Sequence, residues 1–336
     1  MIGDGQVKMM TRGEREATPR GGRSERGGLT GIVVACCVIG IATAAAAMIV
    51  ERNRRLDVSP PAAATEEYGR RLLSRTAELL GPDQPDPAMR YSGSRLSCGS
   101  CHLNTGMQPG TLTLLQATEH YPRFSARVGA MTDIEDRVNE CMQRSMNGRA
   151  LPVDSPEMIA MASYVRSLGT RYSAMGAAQR TATEPPPFKT PDRAADLSAG
   201  KQVFAERCAV CHGIDGSGLP ASTDKGRGYV FPPLWGPDSF NDGAGMHRVL
   251  TAARFIKARM PLGQADLTSE EAFDVAAYIN AEPRPAMANL DKDYPDRSAK
   301  PVDNAYGPFA DDFPVGQHRF GPFGPIDAYY QARKAK

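Results

Sequence analysis

The first pattern in the chain is an apolar run. Leu29 to Val50 carries no charged residue over 22 positions, and a helix of that length, at about 1.5 Å per residue, matches the roughly 30 Å hydrocarbon core of a bilayer. Beyond it the pattern changes to helical periods interrupted by Gly- and Pro-rich stretches. Thr65 to Leu80 predicts a helix stopped by Gly81-Pro82. Thr132 with Glu135 reads as a capping box that opens a helix ending at Asn147-Gly148. Pro156 to Leu168 places Met158, Met161, Tyr164, Val165 and Leu168 on one face. A Pro- and Thr-rich linker comes next, and the plan then repeats: a helix at Leu197 to Arg207, a Gly/Pro-rich loop, and a helix opened by a second capping box at Thr268 and Glu271. From Ala281 to Lys336 the chain is rich in Pro, Gly, Asp and aromatics without a period, and its aromatics suggest a segment that wraps the preceding domains.

Length and charge narrow the classes. The 336 residues suit about two compact domains with accessories, and the formal charge of +2 gives no footprint for nucleic acid or for a polybasic membrane surface. Residues 1–28 are Gly- and Arg-rich and read as a disordered cytoplasmic tail. Lys8, Arg12, Arg15, Arg20, Arg23 and Arg26 precede the apolar run, so the positive-inside rule sends the C-terminal remainder of the chain across the membrane; Arg52, Arg54 and Arg55 just after the run blunt that bias. Residues 29–50 serve as a transmembrane anchor or, given the A-x-A sites within Ala42 to Ala47, as a cleaved export signal.

Cysteine usage supplies the chemistry. Of seven cysteines, four sit in CGSCH (Cys98 to His102) and CAVCH (Cys208 to His212). Each CxxCH is a c-type haem attachment signature, in which two thioethers hold the porphyrin and the histidine becomes the proximal iron ligand. The other reading, a zinc or redox CxxC, would need further Cys or His ligands at short spacing, and none stands beside either motif. Two covalently bound haems c therefore define an all-α fold. Its parts are two tandem cytochrome c-type domains at 66–170 and 196–282, linkers at 51–65 and 171–195, an irregular extension at 283–336 and the N-terminal membrane helix or signal. Covalent haem attachment is completed outside the cytoplasm in bacteria, which places both domains in the periplasm, anchored to the inner membrane by residues 29–50 or released after cleavage.

The sixth ligands separate carrier from catalyst. In the second domain Met260, 48 residues after His212 and followed by Pro261, is the candidate, with Met246 and His247 weaker and Lys257 or Arg259 better suited to haem propionates. In the first domain the candidates are His120, several methionines and Cys141. Cys36 and Cys37 lie in the apolar run, so Cys141 has no disulfide partner. On a helix, Arg137 and Ser145 fall about 40° to either side of Cys141 and Arg144 about 60° away. That face is a poor core stripe but a good anion site around a sulfur, because cationic neighbours favour the thiolate. A buried inert thiol is the alternative.

The segments RVNECMQRSMNGRAL around Cys141 and KPVDNAYGPFADDF with QHRFGPFGPI in the tail resemble the tetrathionate-forming thiosulfate dehydrogenases, a family of dihaem cytochromes c, and the likeness runs from about Tyr68 to Ile326. The resemblance implies that Cys141 is the distal ligand of the catalytic haem and that Arg127, Arg137 and Ser145 form the substrate pocket. It also implies that His102, Cys141, His212 and Met260 ligate iron. Arg259 stands where the family sometimes has a lysine that exchanges with the methionine, so steady His/Met ligation is expected here. The implied reaction joins two thiosulfates into tetrathionate through a sulfur adduct on Cys141, and electrons leave through haem two to a soluble cytochrome c or high-potential iron–sulfur protein. A non-enzymatic dihaem carrier or a Cys-ligated subunit of a sulfur-oxidation complex are the competing readings.

Overall fold

The computed structural model describes residues 62–334, which belong to one compact unit. The apolar run at 29–50 and the tail before it lie outside the described residues, and among those described no helix is long and apolar enough to cross a membrane.

The first half contains α1 (Ala62–Ser74), α2 (Thr76–Leu80), α3 (Ala117–His120), a hairpin of β1 (Arg123–Ser125) and β2 (Ala130–Thr132), α4 (Ile134–Arg144) and α5 (Pro156–Ser173). A short helix, α6 (Ala177–Thr181), lies in the linker. The second half contains α7 (Leu197–Val203), which continues through a wider π turn at Phe204–Cys208 into α8 (Ala209–His212). It then has a small hairpin of β3 (Leu219–Pro220) and β4 (Tyr229–Phe231), followed by α9 (Val249–Arg259) and α10 (Ser269–Ala281). The tail adds α11 (Val315–Phe320) and α12 (Gly324–Lys334).

Local chemistry explains the boundaries. Thr268 and Glu271 form the expected reciprocal cap on α10, with Glu271 N–H donating to Thr268 Oγ1 at 3.1 Å and Thr268 N–H to Glu271 Oε2 at 2.7 Å. The cap on α4 sits one residue later than the sequence pattern suggests: Asp133 and Asp136 make the box. Thr132 is committed elsewhere, closing β2 and donating its hydroxyl to Arg123 O at 3.2 Å. The single helix expected from Thr65 to Leu80 is broken at Arg75, whose backbone leaves the helical region. Ser155 caps α5 and Pro156 takes its first position, where the missing N–H costs nothing.

Each half buries its own core. In the first, Leu72, Leu80, Met142, Met158, Met161, Tyr164 and Leu168 pack together, so the predicted face of α5 points inward. In the second, Phe204, Val249, Ile256, Leu267, Phe273 and Ile279 pack with Phe323, Ile326 and Tyr330 from the tail. The tail is thus part of a core, as its aromatics suggest.

The two halves share one kind of helix crossing. A Cβ on Gly69 of α1 would lie 2.0 Å from Ala160 O and 2.8 Å from Tyr164 Cβ of α5; one on Gly200 of α7 would lie 2.1 Å from Asp274 O and 3.0 Å from Tyr278 Cβ of α10. Glycine at both places lets the first and last helix of each domain meet backbone to backbone.

The tail motif is a polar keystone. Lys300 is buried, donates to Tyr306 O at 3.1 Å and Pro308 O at 2.9 Å, and sits over the rings of Tyr294, Tyr306 and Phe309. Burial pulls its pKa down to about 8. Buried Asp303 accepts from Arg248 Nε at 2.8 Å and Leu250 N–H at 3.1 Å, and His318 bridges Val302 O and Asp311 while stacking on Phe309.

Candidate active site

Both CxxCH motifs are held the same way. His102 Nδ1 lies 2.7 Å from Leu112 O, and His212 Nδ1 lies 2.8 Å from Pro232 O. An Nδ1–H donated to a backbone carbonyl fixes the tautomer and leaves Nε2 as the ligating nitrogen. Burial lowers the His212 pKa, which keeps the imidazole in its neutral, metal-binding form. None of the five described cysteines is in a disulfide. Beside the first motif a cavity of about 420 Å³ is walled by Leu73, Leu114, Ile134, Val138, Met161 and Val165, with Cys98, His102 and Cys141 also on its surface. An apolar slot with Cys98 of the CxxCH motif and an oriented imidazole on its wall fits a covalent haem, and the second motif repeats the donor set.

Cys98 and Cys101 belong to the attachment motif, which leaves Cys141 as the free sulfur of the first site. Burial raises its thiol, yet the net shift is downward, because the charge of Arg137 and the neighbouring His102 outweigh the desolvation. Cys141 thus shares the cavity wall with His102, in surroundings that favour its thiolate. Arg137 lies on the same wall, one turn earlier on α4, and the Cys141 sulfur raises its pKa against the opposing effect of burial.

Glu140 completes this cluster. Its Oε2 accepts from Arg137 Nη1 at 2.9 Å, while its buried Oε1 has no hydrogen-bond partner. Arg127, on the β1–β2 hairpin, also feels the Glu140 charge, but it donates to Gly243 O at 3.3 Å and lies over the Tyr294 ring. Ser145 ends α4, its N–H bonded to Cys141 O. Neither Arg127 nor Ser145 is among the residues lining the cavity, so the structure joins Cys141 and Arg137 there and sets the other two behind them.

Arg144 departs from the helical-face expectation of a cation beside the sulfur. It is buried, donates to Gly243 O at 3.1 Å and pairs with Asp293 at 2.8 Å, and Tyr306 O–H donates to the other Asp293 oxygen at 2.6 Å. The anion whose absence made burial of two guanidinium groups look costly arrives from a residue 149 positions away. Glu140 could have been noticed as the acid next to Cys141; Asp293, Tyr306 and Gly243 carry no local signal.

On the second site, Met260 follows α9 with an extended backbone, φ −118° and ψ 143°, and packs against the second core together with Cys208. His247 is tied by Nδ1 to Asp242 O at 2.8 Å, and burial pushes its pKa down to about 4. His120, predicted in a loop, forms the end of α3 and lies on the cavity wall, exposed to solvent.

Residues 90–172 match the family model described as SoxA/TsdA, cytochrome c domain, and residues 195–279 match cytochrome C oxidase, cbb3-type, subunit III. The chain is 42% identical to a thiosulfate dehydrogenase of Psychrobacter arcticus, over 62% of this chain and 62% of that protein. It is 41% identical to the thiosulfate dehydrogenase of Allochromatium vinosum, over 65% of this chain and 77% of that one. The solved "as isolated" thiosulfate dehydrogenase TsdBA of Marichromatium purpuratum superposes with a TM-score of 0.60 at 34% identity, covering 69% of this chain and 48% of that chain. The match thus spans less than two thirds of the Psychrobacter protein and about half of the Marichromatium chain. Two CxxCH domains built on one scaffold, a thiol on the cavity wall of the first proximal histidine and these likenesses give one conclusion: the chain belongs to the thiosulfate dehydrogenase family of cytochromes c and carries two covalently bound haems c.

Proposed function

We propose that the protein oxidises thiosulfate, joining two molecules through their outer sulfurs into tetrathionate at Cys141. The observation that carries this reading is the placement of Cys141, the cysteine outside the CxxCH motif, on the wall of an apolar cavity with Arg137 and His102. Thiosulfate is a dianion, and bringing two together is unfavourable unless fixed cations offset the repulsion. Arg137 supplies such a charge at the cavity wall, and Glu140 holds its guanidinium in place through Nη1. Arg127 and Ser145, which the resemblance adds to the anion pocket, do not line the cavity, so the charge at its wall comes from Arg137.

The outer sulfur of one thiosulfate bonds to Cys141 with loss of two electrons, for which the haems, when bound, would be the one-electron acceptors. Cys141 then carries an S–S–SO₃⁻ group. The outer sulfur of a second thiosulfate attacks the sulfur bonded to Cys141, that S–S bond breaks, and tetrathionate leaves with the thiolate restored, as in thiol–disulfide exchange. His212 and Met260 would hold the second haem, and a soluble cytochrome c or high-potential iron–sulfur protein would be the external acceptor. The domains work in the periplasm, with residues 29–50 as their anchor or export signal.

A steady-state assay of the purified dihaem protein with thiosulfate and an oxidised cytochrome c or ferricyanide tests the reading. Tetrathionate should form in a one-to-two ratio to acceptor electrons. Reducible haems with no tetrathionate formed would replace this reading with that of an electron carrier.

A further inference from the structure

Arg259 holds enclosed polar atoms that nothing uses. Its Nε and Nη2 are buried in protein and have no hydrogen-bond partner, and the same is true of Thr111 Oγ1. These groups belong to different domains: Arg259 ends α9, next to Met260, whereas Thr111 and Gly110 line the first haem cavity. They meet at Gly110, where an added Cβ would lie 2.7 Å from Arg259 Nη2. Gly110 has φ +93°, so glycine both permits the loop and clears room for the guanidinium. Glu184, whose backbone carbonyl oxygen is 3.8 Å from the same point, accepts from Gln116 through its carboxylate Oε1. Buried polar groups without a partner in the protein, Thr111 on the cavity wall and Arg259 reaching it at Gly110, suit an anionic ligand.

We propose that Arg259 and Thr111 together seat a propionate carboxylate of the haem attached at Cys98 and Cys101. Three features point to that group. The Gly110–Leu112 segment is the one whose Leu112 carbonyl orients His102, so an anion held there lies beside this haem. The cavity wall at this point is polar while the wall formed by α4 and α5 is largely apolar, as the edge of a porphyrin requires. A guanidinium and a hydroxyl are complementary to the two oxygens of a carboxylate. Arg259 is then a residue of the second domain that sets the charge at the first haem. This holds whichever sulfur compound the enzyme turns over.

The test is a spectroelectrochemical titration of both haems in the full dihaem protein and in Arg259→Gln. Loss of the cation leaves the carboxylate uncompensated, favours the more positive oxidised iron, and lowers the midpoint of the haem facing Cys141. The expected change is at least about tenfold in its oxidised-to-reduced ratio at fixed potential, equivalent to about 59 mV. Thr111→Val, which keeps the side-chain shape, should move the same midpoint in the same direction by less. The proposal is overturned if that midpoint stays fixed in both variants, or if only the haem attached at Cys208 and Cys211 moves.

Discussion

The two haem domains differ least where they hold the proximal histidine and most where they face the other side of the haem. Both cross their first and last helices at a glycine, and both turn a histidine Nδ1 to a backbone carbonyl. Domain one then sets a helix, α4, against its cavity and presents Cys141 with Arg137 one turn earlier. Domain two presents Met260, on extended chain after α9. Even the bracing differs: the tail gives domain two hydrophobic side chains for its core, but gives the end of α4 an ion pair. A common frame thus carries two chemistries because the distal element can change without disturbing the crossing.

The largest effects are expected at the distal residues. Cys141→Gly should abolish tetrathionate formation while mass spectrometry still finds two haems; retained turnover would remove Cys141 from the chemistry. Met260→Gly should leave the KM for thiosulfate unchanged, because the proposed sulfur site, at Cys141, is in the other domain.

Next in size is the brace. Asp293→Ala strips the partner from buried Arg144 and from Tyr306 O–H, and leaving a buried cation unpaired costs about 3–5 kcal/mol. Denaturant unfolding followed at the haem absorbance should register that loss. A change under about 1 kcal/mol would mean that the ion pair adds nothing to the fold, since that is the value of an exposed pair.

Arg137→Ala should lower kcat/KM about 10- to 150-fold, the range for a charge-assisted contact worth about 1.5–3 kcal/mol. Unchanged kcat and KM would end the anion-pocket reading.

The contrast also shows what the sequence could and could not disclose. The frame was legible because each of its parts is local: a capping box, a CxxCH, a period of 3.6 residues on α5. Even so, the cap on α4 fell one residue away, at Asp133, because Thr132 was claimed by a β2 partner that local reasoning does not see. Cys141 and Arg137 were legible together because a helix fixes their relation. Arg144 was not, since its environment depends on Asp293, distant in sequence and brought close only by the tail. Glu140 stood in plain view as a neighbour of Cys141, but nothing in the local pattern shows that one oxygen holds Arg137 while the other is left unpaired.

The smallest effects test whether the frames really are equivalent. Gly69→Ala and Gly200→Ala place a methyl 2.0 Å and 2.1 Å from a backbone oxygen of the opposing helix, so each pair of helices must separate. Overpacking of this kind costs about 1–3 kcal/mol, partly offset by the roughly 1 kcal/mol that alanine gains over glycine inside a helix. Because the two clashes differ by only 0.1 Å and involve the same pair of positions on the facing helix, four residues apart, the two variants should lose similar stability in thermal unfolding. If Gly69→Ala were tolerated and Gly200→Ala were not, the first domain would be the looser of the two. The division of labour would then begin in the frame itself rather than at the distal side.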